Sequence, residues 1–213
     1  MATSSIRRYK MGHPKRGYLI IIDNHTFPNP KNNLYGSERD VENFKETFVF
    51  KLGFELVLRQ NQTKNEMIKL MEHFANKVNH SDRDCIMVVF LSHGYTDEYN
   101  QQYICGVDEG VLLTKLTDPF ITCQSLENKP KIFFCDVCRG SKREPDYAKS
   151  FVNDSKATSL TRVDASRSRA PFYSLKDFIF CYGSVHGYVA GKPTKEILGL
   201  DTFYIFKVIK SLF

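Results

Sequence analysis

The sequence predicts an α/β fold, a mostly parallel central sheet with helices on both faces. Three observations carry that prediction. Several short runs are apolar throughout, as strands buried on both faces are. Segments with apolar residues at helical spacing lie between them. Asn, Gly and Pro bound both kinds of segment.

The chain has 213 residues, enough for one domain with a sizeable core. It is 42% hydrophobic and 25% charged, an ordinary globular balance. No apolar run approaches the roughly 20 residues that span a bilayer. The opening MATSSIRRYKMGHPKRGY has no apolar stretch of secretory type, so a cytoplasmic chain with six reduced cysteines is expected. The net charge of +6 is spread along the chain, densest at Arg7–Lys10, Lys15–Arg16 and Arg162–Arg169. No basic face interleaved with aromatics is visible, so neither nucleic acid nor membrane is an expected partner.

Residues 1–16 read as a flexible lead. Gly17–Asp23 (GYLIIID) is an apolar, β-branched run closed by Asn24, a buried strand. PNPKNN marks a loop. Val41, Phe44, Phe48 and Leu52 recur at helical spacing, and Gly53 ends the pattern. Phe54–Leu58 is a second strand. Thr63 caps a helix with the stripe Met67, Leu70, Met71, Phe74 and Val78. Cys85–Leu91, Lys131–Cys135 and Asp177–Cys181 are three further strands. Asp201–Phe213 is helix-like. Residues 140–175 are polar and basic with little periodicity, and read as a long linker.

In such sheets ligands bind at the carboxyl ends of strands. Ser92-His93-Gly94 follows one apolar run and Asp136-Val137-Cys138-Arg139-Gly140 follows another. Cys135 and Cys138 form a CxxC, but zinc needs about four ligands and no second CxxC or HxxxH is present. A redox CxxC sits at a helix start, whereas Cys135 completes a strand and reads as a packing residue. Cys138 lies past the strand end, where a thiol can be exposed. A thiol needs a base or cation beside it to act as a nucleophile, and His93 is placed for that. On these residues alone, a Cys–His pair and two uninvolved loop residues are both open.

The wider pattern resembles the caspase family, and among its members insect effector caspases, over nearly the whole chain. YKMGHPKRGYLIIIDN is similar to their first strand and its lead, ERDVENFKETF to their first helix, and KPKIFFCDVCRG to their nucleophile strand. FIFCYGSVHGY is similar to the first strand of their small subunit. The caspase signature places Cys before Arg, Gln or Gly and a further Gly, with the histidine roughly 50 residues upstream. Here Cys138-Arg139-Gly140 follows His93 in FLSHG. The resemblance implies a caspase-type three-layer sandwich and a dyad of His93 and Cys138. It implies an oxyanion hole from the backbone N–H groups of Gly94 and Cys138, and no cofactor or metal. It also implies a short prodomain-like lead (1–16), a large-subunit-like part (17–145), an intersubunit linker (146–175) and a small-subunit-like part (176–213). Asp154 and Asp164 are candidate processing sites, or ordinary loop aspartates.

The resemblance fails where the family binds the substrate's aspartate. Asp136 stands in place of a glutamine two residues before the nucleophile. The arginine before the first helix falls on Tyr35 or Gly36, and the nearest arginine, Arg39, lies in the helix start. Lys192 replaces the second arginine, Gly191 a tryptophan and His186 a proline. Lysine cannot make arginine's two-pronged contact with a carboxylate. A second carboxylate about 4 Å from Asp136 would cost about 4 kcal/mol at an effective dielectric near 20. Two lost charge-assisted hydrogen bonds add about 1.5–3 kcal/mol each. Aspartate-directed cleavage is therefore expected to be nearly abolished.

Caspases also continue past the segment that Asp201–Phe213 resembles, so the small-subunit part is expected to be C-terminally short. Two functional readings follow. One is an impaired caspase homologue in apoptosis that regulates an active paralogue, pairing with another caspase chain as hetero- or homodimer or occupying its activator. The other is a cysteine endopeptidase of altered or residual specificity, with peptide substrates whose basic side chain meets Asp136 and Glu38. Lys192 opposes that second reading. A chain with no stable fold is a third possibility.

Overall fold

A computed structural model describes residues 9–138, 140–142, 175–183 and 187–188. Five parallel strands form the central sheet: β1 (Lys15–Asp23), β2 (Glu55–Gln60), β3 (Arg83–Leu91), β7 (Lys131–Asp136) and β9 (Phe178–Tyr182), in the order β2-β1-β3-β7-β9. A three-stranded antiparallel sheet of β4 (Gly94–Thr96), β5 (Gln102–Cys105) and β6 (Gly110–Leu112) follows β3. Two short parallel strands, β8 (Gly140–Lys142) and β10 (Gly187–Tyr188), pair with each other.

The uninterrupted apolar runs have a simple cause. Alternate residues of each strand enter two separate cores. Ile20, Ile22, Val88, Phe90, Phe133 and Cys135 pack toward the helices α2 (Lys64–Asn76) and α3 (Leu113–Thr117). Leu19, Ile21, Met87, Val89, Ile132 and Phe134 pack toward α1 (Ser37–Phe44) and the π-helical segment Lys45–Lys51 that continues it. Helix, sheet and helix thus make three layers. A strand enclosed on both faces has no position left for a polar alternate. No helix among the described residues is long and apolar enough to cross a membrane.

Several boundaries differ from expectation. The 1–16 lead overlaps β1, because Lys15 and Arg16 already belong to that strand. Upstream, Tyr9 donates to Asp177, His13 to Asp84, and Arg16 pairs with Asp84. Those carboxylates tie down residues that composition alone makes look loose. The helix after Gly36 is α-helical only to Phe44 and then widens to the π form, with Phe44 and Phe48 stacked at 5.7 Å. Thr63 caps α2 as expected, Glu66 completes a full capping box with it, and Val78 lies past the helix end. Residues 146–174 of the expected linker 146–175, and the segment 201–213, lie outside the described residues.

Candidate active site

Asp23, Leu91 and Asp136 pair across β1, β3 and β7 at one level, at the carboxyl edge of the sheet. His93 and Cys138 each lie two residues beyond that level, just past the ends of the neighbouring parallel strands β3 and β7. The register alone brings the two loops side by side.

His93 is half-buried and held on two sides. Its Nε2 lies 2.8 Å from the carbonyl oxygen of Asn32. A carbonyl only accepts, so Nε2 carries the hydrogen and Nδ1 is the neutral ring's basic atom. The Phe27 ring packs against the imidazole at a centroid distance of 5.0 Å. Both partners come from the loop after β1, whose PNPKNN sequence showed only a turn.

Cys138 is half-buried at the end of β7, and its carbonyl accepts from Gln102 Nε2 at 3.2 Å. The same amide reaches the carbonyls of Tyr95 at 3.2 Å and Tyr103 at 3.0 Å. Gln102 is therefore a buried clip joining β4, β5 and the Cys138 loop. The N–H of Cys105 donates to the His93 carbonyl at 2.9 Å. Burial first, then neighbouring Cys138, push the Cys105 thiol above its usual range. Sequence reading found neither residue. A glutamine and a cysteine in a short alternating strand carry no local mark of their partners.

Gly94 sits where a side chain cannot. A Cβ there would lie 2.7 Å from the Tyr103 oxygen and 2.8 Å from Val137 Cβ. The close approach brings the backbone after His93 against the residue before Cys138.

Cys135 points into the core and is fully buried. The CxxC thus splits into a packing thiol and a loop thiol. Among the described residues no group of three or more His, Cys, Asp and Glu could hold a metal ion.

Asp136 ends β7 and is exposed. Its Oδ1 lies over Gly183, so that a Cβ at 183 would collide with it. The Gly183 N–H donates to the Cys135 carbonyl at 3.0 Å, which folds the end of β9 across Asp136. Tyr35 is 74% exposed, three residues after Asn32, and Gly36 caps α1 with φ 89°. Glu38 and Arg39 are exposed in the first turn of α1. The structure therefore groups His93, Gly94, Asp136 and Cys138 at one sheet edge, with Tyr35 on the loop that holds His93. Lys192, Gly191, His186, Asp154 and Asp164 lie outside the described residues.

Comparison with known proteins gives a consistent picture. The sequence profile described as "Caspase domain" matches residues 16–207. "Caspase-6" of Bos taurus is 33% identical, over 88% of this chain and 64% of that protein. "Caspase-6" of Mus musculus is 34% identical, over 88% of this chain and 67% of that protein. "Caspase-3" of Mesocricetus auratus is 31% identical, over 88% and 63% respectively. The chain thus spans about two thirds of the length of these relatives. Among solved structures, "Crystal Structure of Caspase-1 from Spodoptera frugiperda" is similar with a TM-score of 0.67 and 25% identity, covering 91% of this chain and 68% of that one.

Proposed function

The chain belongs to the caspase family, and from that premise we propose that it is a catalytically impaired caspase homologue in apoptosis, acting in the cytoplasm on an active paralogous caspase. It keeps the Cys138–His93 dyad and has lost the seat for a substrate aspartate. One observation carries this reading. The exposed carboxylate of Asp136 stands at the end of the nucleophile strand, two residues before Cys138. A substrate aspartate in that place meets a like charge where the family offers a neutral amide. The repulsion is about 4 kcal/mol at 4 Å and an effective dielectric near 20. Each 1.4 kcal/mol is roughly tenfold in rate, so cleavage after aspartate falls by about a thousandfold from this term alone.

Another caspase chain, in a hetero- or homodimer, or that chain's activator is the partner this reading names. The test is steady-state hydrolysis of an aspartyl peptide reporter by the purified chain, with and without an active paralogue. The chain alone gives no turnover above a Cys138→Ala control, and its addition changes the paralogue's rate. Turnover by the chain alone at the rate of an active caspase overturns the reading.

The same carboxylate supports a second reading, an endopeptidase that accepts a basic side chain beside Asp136. Arginyl and lysyl reporters test it. Hydrolysis that disappears in Cys138→Ala supports it, and no signal above that control rejects it.

A further inference from the structure

A histidine–carboxylate pair stands at the same edge of the sheet, at the end of β1 and outside the dyad. Asp23 is the last residue of β1 and is fully buried. Its Oδ2 lies 3.0 Å from His25 Nδ1 and 3.2 Å from Gln60 Nε2. Its Oδ1 is buried without a partner. A buried carboxylate is costly unless hydrogen-bonded, and it binds tightly whatever donors it has. His25 supplies one of the two donors to Oδ2.

His25 is also the first fixed point of the loop that reaches His93. Its N–H and that of Thr26 both donate to Asn61 Oδ1, at 3.1 and 2.9 Å. Its carbonyl accepts from the Leu34 N–H at 2.9 Å, which closes the loop between residues 25 and 34. Inside that closed loop, the Phe27 N–H donates to Asn33 Oδ1 at 2.8 Å. The two groups that hold the His93 ring are the Phe27 ring and the Asn32 carbonyl, both on this loop.

We propose that His25 and Asp23 are positioning residues for His93: their pair anchors the loop whose Phe27 and Asn32 fix the imidazole. The chain of contacts runs from the Asp23 carboxylate to the His25 ring, through the closed loop to the Asn32 carbonyl, and so to His93 Nε2. Nothing in it touches Cys138 or a substrate. Loosening the anchor frees the Asn32 carbonyl to move, and the Nε2–H that fixes which ring nitrogen is basic loses its acceptor. The consequence for chemistry rests on the reading of His93 as the partner of Cys138. The placement of the ring does not.

Nitrogen-15 labelling of the histidines, with proton exchange of each ring N–H read by NMR, separates the two. His93→Gln assigns the His93 signal. In the unaltered chain, His93 Nε2–H is protected by the Asn32 carbonyl. In His25→Ala its exchange is expected to quicken about tenfold or more, as local opening does. His25→Gln, which keeps an amide donor for Asp23, restores protection. His80 serves as the internal control. Its Nε2 is 2.8 Å from the Phe74 carbonyl, before the start of β3 and so at the far end of the sheet. A mere loss of stability quickens both signals, whereas a positioning role quickens His93 alone. Asp23→Asn, which keeps the shape and removes the charge, is read by the same rule and decides the matter if His25→Ala does not fold. Unchanged His93 protection in a folded His25→Ala or Asp23→Asn overturns the proposal, as does equal acceleration of His80. Whether any of these chains hydrolyses a peptide does not enter the result, so failure of the dyad reading shows up separately, in the reporter assays above.

Discussion

Asp136 and Gly183 fit each other: the carboxylate at the end of β7 occupies the space that a side chain on residue 183 would need. The next nearest atoms to such a side chain would be Asp136 Cγ at 3.1 Å and Asp136 Cα at 3.2 Å. Register explains the contact, because Cys135 pairs with Tyr182 and the next residues of the two strands meet.

Gly183→Ala is therefore expected to turn the exposed Asp136 carboxylate aside and to destabilise the chain by about 1 kcal/mol, the low end of the cost of overpacking. Asp136→Ala in the same chain should recover part of that loss, a coupling of roughly 0.5 kcal/mol. Chemical denaturation of the two single variants and the double variant measures it. Strict additivity would contradict the contact.

Gln102→Leu removes one amide that serves three carbonyls. Buried acceptors left unbonded cost about 1–3 kcal/mol. The backbone amides of β4, β5 and Val137–Cys138 should exchange faster in this variant, while those of β1 and β2 do not change. Hydrogen exchange followed by mass spectrometry checks this, and uniform behaviour across the chain would contradict it.

The thiols should separate by reactivity. Burial pushes Cys85 up to about 12 and Cys181 up to about 11, and Cys135 is fully enclosed. A short treatment of the native chain with iodoacetamide near neutral pH should modify Cys138 first and leave those three unmodified. Peptide mapping reads the order, and early modification of Cys85 or Cys181 would contradict it.

His80 links stability to pH. Burial holds its folded pKa below the ordinary 6.5, with a smaller opposing effect from its bond to the Phe74 carbonyl. The unfolded chain then binds the proton more readily than the folded one. Stability from this group is complete above 6.5 and falls as pH drops below it, levelling once the folded imidazole also protonates. Melting temperature should fall between about pH 7 and 5, before most carboxylates titrate, and the fall should be smaller in His80→Gln. Equal slopes in the two chains would contradict it.

The central strands β1, β3 and β7 were legible because enclosure on both faces leaves a local mark, an apolar run with no polar break, whereas the half-buried edge strands β2 and β9 showed only short apolar runs. β4, β5 and β6 left none. They are three or four residues long, and their half-buried patterns mix Gln, Tyr, Thr and Gly with the apolar positions. Within the candidate site, His93 and Cys138 could be found because each follows such a run. Their supports could not. Asn32 is 61 residues from His93, and Gln102 is 36 residues from Cys138. Contacts of that kind exist only once the sheet has set its register. The Asp23–His25 pair lies two residues apart in an ordinary loop start, and only the burial of Asp23 sets it apart.

Covalent labelling of Cys138 tests the central claim most directly, since it reads nucleophile and pocket together. The purified chain is treated with three peptide electrophiles that share a reactive group and carry aspartyl, neutral or arginyl recognition residues, and intact mass gives each rate. An acidic seat at Asp136 predicts that the aspartyl compound modifies Cys138 no faster than the neutral one, and that Asp136→Gln narrows any gap between them. Modification by the aspartyl compound about a thousandfold faster than by the neutral one, at the level of an intact aspartate pocket, would contradict it.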